Sequence, residues 1–252
     1  MTVSLRSLSL ALICGIAATA AAFGGAAKAD DPNPTLQRQQ IETIIHDYLL
    51  HNPDVLIAAF RQAEDKSHKD DAAKASQAVA DHSRELFSDP SAPVGGNAQG
   101  NETIVEFFDY RCAYCKQAEP SVEAMLKQNP NLRVVYKEFP ILGPVSVSAA
   151  HAALAAQRQG KYDAFHAAMT EAHGNITDEA VYRIAASVGL DIDTLKRDMA
   201  SPELAQQIKE NQKLADALNI RGTPAFVIGD KVVPGVADIA TLKSMVADEH
   251  DQ

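Results

Sequence analysis

Two cysteines, Cys112 and Cys115, form the pattern in this chain that most directly implies chemistry. They are spaced Cys-Ala-Tyr-Cys and follow the apolar run 103–108, which is typical of a strand. At the start of a helix, this spacing places one sulfur on the exposed first turn, where unpaired amides and the helix dipole favour a thiolate. The pattern therefore predicts a disulfide that opens and closes.

Two other uses of the cysteine pair are less consistent with the sequence. Half of a zinc site has the same spacing, but there is no second cysteine pair, and none of the eight histidines is spaced to complete a tetrahedral site. A purely structural disulfide would close so short a loop that it constrains little of the unfolded chain. Redox chemistry is favoured, and the sequence predicts neither a metal nor a cofactor.

The first 29 residues are typical of a secretory signal. Arg6 precedes the apolar stretch 8–22, and Ala27-Lys28-Ala29 is a cleavage site, which predicts release after Ala29. The alternative is an uncleaved membrane anchor. Export into an oxidising compartment would allow a disulfide to persist.

The chain is acidic, with 33 Asp and Glu against 23 Lys and Arg and a net charge of −10. Removal of the signal takes away two bases and no acid, so the exported chain is more acidic still. This balance argues against nucleic acid as a partner.

Residues 30–87 are predicted to form an N-terminal helical region for oligomerisation and linkage. Apolar residues recur at helical spacing over 36–50, and Asn52-Pro53 begins a second helix. Residues 62–83 carry few large apolar side chains, so we expect this stretch not to dock firmly on a core. The apolar face of residues 35–60 then either self-associates or packs back on the following domain.

Residues 88–252 are predicted to form an α/β domain. Strands at 103–108 and 132–139 flank a helix that runs from the cysteines to about residue 127, which favours a parallel crossover. A helical insertion follows at about 145–218. The predicted elements after it are a hairpin of strands 225–228 and 231–234 around Gly229-Asp230 and a closing helix at 239–249.

Two segments resemble the DsbA-like thiol:disulfide oxidoreductases. Residues 106–115, Glu-Phe-Phe-Asp-Tyr-Arg-Cys-Ala-Tyr-Cys, resemble the active-site segment of that family, and residues 222–226, Gly-Thr-Pro-Ala-Phe, resemble its cis-proline segment. The resemblance implies a thioredoxin fold with a helical domain inserted between the second core strand and the cis-proline strand. It also implies protein substrates that carry disulfides or free thiols.

The same resemblance implies roles for the residues around the cysteines. Cys112 matches the nucleophile and Cys115 the resolving thiol. Ala113 and Tyr114 replace the Pro-His pair of strong oxidases. Without that histidine the thiolate loses one partner, so we expect Cys112 to ionise less readily than in those enzymes.

Three further residues match family positions. Thr223 and Pro224 match the threonine and cis-proline that pair with an extended substrate; the alternative is an ordinary trans bond entering a strand. Glu106 matches a buried acid that relays the proton of the resolving thiol, and alternation along its strand turns it inward. The alternatives are an exposed edge-strand glutamate or an ion pair with Lys137.

Asp109 and Arg111 flank the predicted site. They either tune the charge around Cys112 or belong to a solvated loop.

The N-terminal region resembles the oligomeric suppressor-of-copper-sensitivity C (ScsC) branch of the family, through residues 44–50, Ile-Ile-His-Asp-Tyr-Leu-Leu, and the polar connector after them. This implies a homo-oligomer formed through residues 35–60, an isomerase activity, a periplasmic location and a membrane partner that resets the cysteines. The alternatives are a monomeric DsbA-type dithiol oxidase and a Cu(I)-binding copper-tolerance protein.

Overall fold

The computed structural model describes residues 34–250, so the predicted signal peptide lies outside the described residues. Internal contacts divide the chain into two units that meet between Phe60 and Arg61. The second unit thus begins earlier than residue 88, where the sequence predicts the start of the α/β domain.

The first unit contains helix α1, Pro34–His51, and the beginning of helix α2, Pro53–Asp81. Asn52 separates them: its side-chain amide donates to the carbonyl of Tyr48 at 2.8 Å, and its own carbonyl accepts from the amide of Val55 at 3.1 Å. The predicted helix break is confirmed.

This unit leaves many large apolar side chains in water. Phe60 is 69% exposed and Ile44 is 67% exposed, far above the level of a core residue. The exposed apolar set of the first unit comprises Ile41, Ile44, Ile45, Tyr48, Leu50, Val55, Leu56, Ile57 and Phe60. An apolar surface of this extent is typical of an interaction site.

The second unit is built on a five-stranded sheet. The strands are β1 Val94–Gly96, β2 Glu102–Phe108, β3 Leu132–Glu138, β4 Ala225–Ile228 and β5 Lys231–Pro234. Their order is β1-β3-β2-β4-β5, with β2 and β3 parallel and every other pair antiparallel. Helix α4, Ala113–Gln128, makes the connection from β2 to β3, which confirms the predicted crossover.

The helical insertion lies between β3 and β4, as the resemblance implied. Its helices are α5 Pro144–Arg158, α6 Tyr162–Glu171, α7 Asp178–Ser187, α8 Ile192–Met199 and α9 Pro202–Ala217. The hairpin of β4 and β5 turns at Gly229, whose φ of 57° suits a residue without a Cβ. Helix α10, Ile239–His250, closes the domain beside α4.

Strand alternation gives the sheet two different cores. On one face, Ile104 and Phe108 pack with α4 and the helical insertion. On the other face, Val105 and Phe107 pack with the end of α9. Successive residues of β2 therefore point to opposite faces of the sheet and pack in different cores.

The prediction that residues 62–83 dock weakly is wrong at their C-terminal end. Val79 of α2 is buried in the second core, together with Leu86 of helix α3, Ser83–Phe87. Small residues such as Ala78 let this part of α2 approach the core closely. The stretch needs few large apolar side chains because one valine and its small neighbours suffice for contact.

No helix within residues 34–250 is both long enough and apolar enough to cross a membrane.

Candidate active site

Cys112 is the N-cap residue of α4, and its backbone is extended there, with φ −75° and ψ 117°. The Cys112 amide donates to the Asp109 carbonyl at 2.9 Å, and its carbonyl accepts from the Lys116 amide at 3.3 Å. The first amides of α4 therefore point toward the site, as the sequence predicted. The expectation of an exposed sulfur is wrong, because Cys112 is only 7% exposed.

The loop before β4 covers the Cys112 thiol. The Cys112 thiol lies 3.2 Å from the carbonyl oxygen of Thr223 and donates to it. The Thr223–Pro224 peptide bond is cis, as the resemblance implied. The carbonyl of Pro224 accepts from the Gly235 amide at 2.8 Å, which joins the loop to the chain after β5.

Cys115 lies in the first turn of α4 and is more deeply buried, at 4% exposure. Both cysteines are free thiols. Burial raises the pKa of the Cys115 thiol well above its ordinary value, and the nearby Glu106 carboxyl adds to the shift. Cys115 therefore holds its proton at neutral pH and needs a base to become a nucleophile.

Tyr114, between the two cysteines, is 64% exposed, so its ring stands at the rim of the site. Neither Ala113 nor Tyr114 supplies an imidazole or a charged side chain between the two cysteines. The expected redox tuning depends on these two residues, which stand where strong oxidases carry Pro-His.

Glu106 is buried on β2, at 1% exposure, where it is in register with Tyr136 of β3 and Phe226 of β4. The edge-strand alternative is wrong. Burial raises the pKa of Glu106 well above its ordinary value, and the negative charge of Glu119 adds to this. Among the described residues, Glu106 Oε2 has no hydrogen-bond partner.

An ion pair between Glu106 and Lys137 is not formed. Lys137 is in register with Phe107, so its side chain lies on the opposite face of the sheet from Glu106. There it donates to Asp89 Oδ2 at 2.6 Å. Burial lowers the pKa of Lys137, and the hydrogen bond to Asp89 opposes that change.

Asp109 is a structural residue rather than part of a solvated loop. It is 2% exposed, and its carboxylate accepts from three backbone amides: Arg111 at 2.8 Å, Ile141 at 2.9 Å and Leu142 at 3.0 Å. The Arg111 guanidinium donates to the Leu142 carbonyl at 2.5 Å. Together these bonds fix the loop before Cys112 to the loop after β3.

A buried polar cluster behind Cys115 was missed by sequence reasoning. The carboxyl of Glu138 accepts from the Tyr162 hydroxyl at 3.0 Å and from the Tyr110 hydroxyl at 3.4 Å. The Tyr110 oxygen lies 3.1 Å from His166 Nδ1. Glu119 Oε2 lies 3.5 Å from His166 Nε2 and so borders the same cluster. Only one sequence signal was available: Glu119 follows Cys115 by four residues and so shares its helix face.

This arrangement can exchange disulfides. It holds one thiol at a helix N-terminus against a backbone carbonyl, a second thiol one turn inside, and a buried carboxyl near the second. The backbone of Thr223 lies beside the Cys112 sulfur at the cis-proline loop. Fold and site together define a thioredoxin-fold dithiol protein with a helical insertion.

The family models agree with this class. Residues 103–247 match the DSBA-like thioredoxin domain, and residues 37–63 match the copper resistance protein ScsC N-terminal domain. The first match covers more than half of the chain. The chain belongs to the DsbA-like thioredoxin-domain family and carries an ScsC-type N-terminal segment.

Curated relatives share the same region. Na(+)/H(+) antiporter NhaA 1 of Salinispora arenicola is 31% identical over 155 residues, which are 61% of this chain and 24% of the antiporter. The chain thus spans about a quarter of the length of that relative. Thiol:disulfide interchange protein DsbA of Bordetella pertussis is 31% identical over 144 residues, 55% of this chain and 68% of DsbA.

Solved structures extend the likeness to the N-terminal region. A thioredoxin-like oxidoreductase from Silicibacter pomeroyi is 46% identical, with a TM-score of 0.66 over 67% of this chain and 98% of its own. Proteus mirabilis ScsC in a transitional conformation is 27% identical, with a TM-score of 0.64 over 85% of this chain and 97% of its own. The second likeness therefore includes part of the helices before the sheet.

Proposed function

We propose that this protein is an exported thiol:disulfide oxidoreductase that acts on protein disulfides through Cys112 and Cys115. The observation that carries the proposal is the 3.2 Å approach of the Cys112 sulfur to the Thr223 carbonyl. A substrate strand that pairs with the Thr223 backbone would bring its own sulfur next to Cys112. Backbone pairing reads no side chains, so many substrates are accepted.

The exchange takes two steps. The Cys112 thiolate attacks one sulfur of a substrate disulfide, forms a mixed disulfide and releases the other sulfur as a thiolate. Cys115 then gives its proton to the ionised form of Glu106, which is a stronger base than an ordinary carboxylate because burial raises its pKa, and attacks the Cys112 sulfur. The bond between the two cysteines forms, the substrate leaves as a thiolate, and the protein is oxidised by two electrons while the substrate is reduced.

Isomerisation is the favoured net activity. An isomerase must hold a misoxidised substrate while its disulfides are exchanged, and several sites on one assembly do this better than one. The exposed apolar set of the first unit supplies a surface for assembly, and the ScsC-type match covers the same segment. We therefore propose a homo-oligomer formed through residues 35–60.

Removal of residues 30–60 tests this assignment. The deletion stops at Phe60 because Val79 and Leu86 belong to the core of the second unit. The truncated protein should become monomeric, keep dithiol exchange with glutathione and lose the ability to refold scrambled ribonuclease. A monomer that still refolds scrambled ribonuclease would favour the runner-up, a DsbA-type dithiol oxidase.

A substitution in the full chain gives an independent test. Ile44→Lys places a charge in the exposed apolar set, whereas Gln40→Lys adds the same charge at a polar position of α1. Only Ile44→Lys should lower the solution mass and the isomerase activity. Equal mass for the two variants and the wild type would exclude α1 from the assembly surface.

We propose the periplasm as the site of action, with a signal peptide cleaved after Ala29 and a membrane redox partner that resets the cysteines. The signal-like pattern of residues 1–29 supports export. N-terminal sequencing of protein recovered from the periplasm would give Asp30 as the first residue. Retention of residues 1–29 would support the membrane-anchor alternative.

Cu(I) binding is a second candidate, favoured by the match to the N-terminal domain of a copper resistance protein. Cys112 and Cys115 would hold the ion as soft thiolate ligands. Titration of the reduced protein with Cu(I), with Cys112→Ser as the control, separates the two functions. Tight stoichiometric binding without disulfide exchange would replace the oxidoreductase assignment.

A further inference from the structure

A groove lies beside the cis-proline loop, between that loop and the second half of α2. Its volume is about 960 Å³, which is in the range of pockets that bind ligands. Three segments line it: residues 68–78 of α2, the chain from the end of α9 into β4, and the second half of β5 with the glycine after it. All three belong to the second unit, so the groove is part of one compact body.

The groove begins at the reactive contact. Thr223 lines it, and the carbonyl oxygen of the same residue lies 3.2 Å from the Cys112 sulfur. A polypeptide that pairs with the Thr223 backbone, as in the exchange proposed above, continues into the groove on one side of its reactive cysteine. An extended chain advances roughly 3.3 Å per residue, so side chains within a few positions of that cysteine reach the groove.

The wall that α2 forms is held in place at two points. Val79 is buried in the second core, and Ser76 Oγ donates to Asp230 Oδ2 at 2.9 Å, at the turn between β4 and β5. Ala75, one helical turn before Val79, lines the groove and is only partly buried. A fixed wall with so small a side chain leaves space that the domain itself does not fill.

Gly222 keeps the other side of the groove open. A Cβ at this position would meet no atom of the described residues within 4 Å beyond its chain neighbours, and its φ is not in the left-handed region. Neither its backbone conformation nor its packing therefore requires a glycine. Glycine also occurs where a second backbone must approach closely, and here it leaves the approach to Thr223 free.

The buried side chains of the lining are apolar. Leu218 and Ile220 are buried, and Val232 of β5 is partly buried against the same core. A ligand side chain that reaches them leaves water for an apolar surface, which is favourable only when that side chain is itself apolar.

The charged side chains of the lining are exposed, and their charges are balanced within the protein. Lys74 Nζ lies 3.2 Å from Asp71 Oδ1, and Arg221 donates to Asp216 Oδ1 at 2.7 Å. With each cation paired to an acid, the groove carries no excess charge that would favour an ionic ligand.

We propose that this groove binds the part of a polypeptide substrate next to its reactive cysteine, with an apolar side chain of the substrate on the apolar lining. The second half of α2 is then one wall of the substrate site. The proposal rests on the dithiol exchange proposed above and leaves its chemistry unchanged. It predicts a preference for disulfides that lie in apolar segments, which misfolded proteins expose, over glutathione, which is too short to enter the groove.

Filling the groove in the full-length protein tests the proposal. Ala75→Leu adds bulk to the lining, and Ala73→Leu makes the same change at an exposed position of α2 outside the lining. Each reduced protein is mixed either with the disulfide dimer of a synthetic peptide that has leucine three positions from its cysteine or with oxidised glutathione. Acid quenching and mass spectrometry then give the rate of adduct formation on Cys112.

The ratio of the peptide rate to the glutathione rate is the quantity to compare. It should fall about tenfold in Ala75→Leu, because one apolar side chain of the peptide loses its place. In Ala73→Leu it should equal the wild-type ratio. A peptide with serine in place of the leucine should lower the ratio in the wild type as well.

Cross-linking locates the peptide without any substitution in the groove, so it does not depend on how Ala75→Leu folds. A peptide with benzoylphenylalanine in place of the leucine is trapped on Cys112 of a Cys115→Ala variant, illuminated, and mapped by mass spectrometry. Cross-links within residues 68–78 are expected. Cross-links confined to other segments, including the exposed apolar set of the first unit, would overturn the assignment of the groove.

A rate ratio for Ala75→Leu equal to that of Ala73→Leu would also overturn the groove and leave the proposed function intact. A wild-type protein that forms an adduct with neither the peptide nor glutathione would overturn both.

Discussion

The sulfur of Cys112 lies 3.2 Å from the carbonyl oxygen of Thr223, although 111 positions separate the two residues along the chain. The helical insertion accounts for most of that separation, since it leaves the sheet after β3 and returns to it at β4. One sheet edge thus brings together the N-terminus of α4 and the loop that can pair with substrate. The account of the site depends on this contact.

Asp109 should be the most important single residue for the shape of the site. Asp109→Ala removes the buried carboxylate that accepts from three backbone amides, so we expect a loss of about 3 kcal/mol in the free energy of unfolding and a melting temperature roughly 6–12 °C lower. Asp109→Asn keeps one side-chain oxygen, so its melting temperature should lie between those of Asp109→Ala and the wild type. Thermal unfolding followed by circular dichroism measures this.

The matched control is Asp191→Ala, which removes the single bond from the Thr194 amide at the N-terminus of α8. It should lower the melting temperature less than Asp109→Ala does, because only one amide loses its acceptor. Equal melting temperatures for the two alanine variants would mean that the bonds to Asp109 contribute no more than one helix cap.

Glu106 should weaken the fold at high pH. Its pKa in the folded protein is raised by burial, so it is neutral in the fold at pH values where the unfolded chain ionises it. Stability is therefore full below the unfolded pKa and declines as pH rises toward the folded pKa. Glu106→Gln should reduce this decline between pH 5 and pH 9 by an amount on the order of 1 kcal/mol.

Urea denaturation at pH 5 and at pH 9 measures the effect of Glu106→Gln on stability. Glu64→Gln, at an exposed position, is the control. A pH slope of Glu106→Gln equal to that of the wild type would mean that Glu106 is ionised in the fold.

The Lys137–Asp89 pair should respond asymmetrically to substitution. Asp89→Ala leaves a buried ammonium without its carboxylate and should cost about 2 kcal/mol, less than the roughly 3–5 of a fully buried pair because Asp89 is partly exposed. Lys137→Met should be close to neutral, and the double variant should recover the loss. A double variant no more stable than Asp89→Ala would contradict this.

The same pair predicts a loss of stability in acid. Burial raises the pKa of Asp89, but hydrogen bonds from Lys137 and Ser91 outweigh burial and leave the pKa below its ordinary value. The contribution of Asp89 is therefore present above its unfolded pKa and is lost as pH falls below about 4. Unfolding midpoints from pH 6 to pH 2 should converge for the wild type and Asp89→Ala.

Tyr114 offers a test of redox tuning without a change in packing, because its ring is mostly exposed. Tyr114→His adds an imidazole that can pair with the Cys112 thiolate and so stabilise the reduced protein. The equilibrium with glutathione should move roughly tenfold toward the dithiol, about 30 mV in potential. Tyr114→Phe should stay at the wild-type position, and equal values for both variants would remove Tyr114 from the tuning residues.

Local patterns predicted the elements that carry the site. The strand before Cys112, the helix after it and the hairpin at Gly229 are each specified by residues within a few positions, so their bounds follow from alternation and turn chemistry. The approach of Cys112 to Thr223 was not readable from spacing. It followed from resemblance to a family with both segments.

Contacts between distant side chains explain what was missed. Asp109 stands in a polar loop, and only the tertiary fold shows that it accepts from amides more than thirty residues away. His166 and Glu119 lie on different helices and look like ordinary surface residues. Lys137 lies on the strand next to Glu106, but the register that pairs it with Phe107 places its side chain on the opposite face of the sheet. An ion pair with Glu106 is therefore excluded.

The central claim is that Cys112 is the sulfur that substrates meet and Cys115 the one that resolves. Reduced Cys115→Ala and Cys112→Ser variants, each treated with an insulin-derived disulfide peptide and mapped by mass spectrometry, test it most directly. The account predicts a stable peptide adduct on Cys112 in the first variant and no adduct on Cys115 in the second. An adduct on Cys115, or none in either variant, would contradict it.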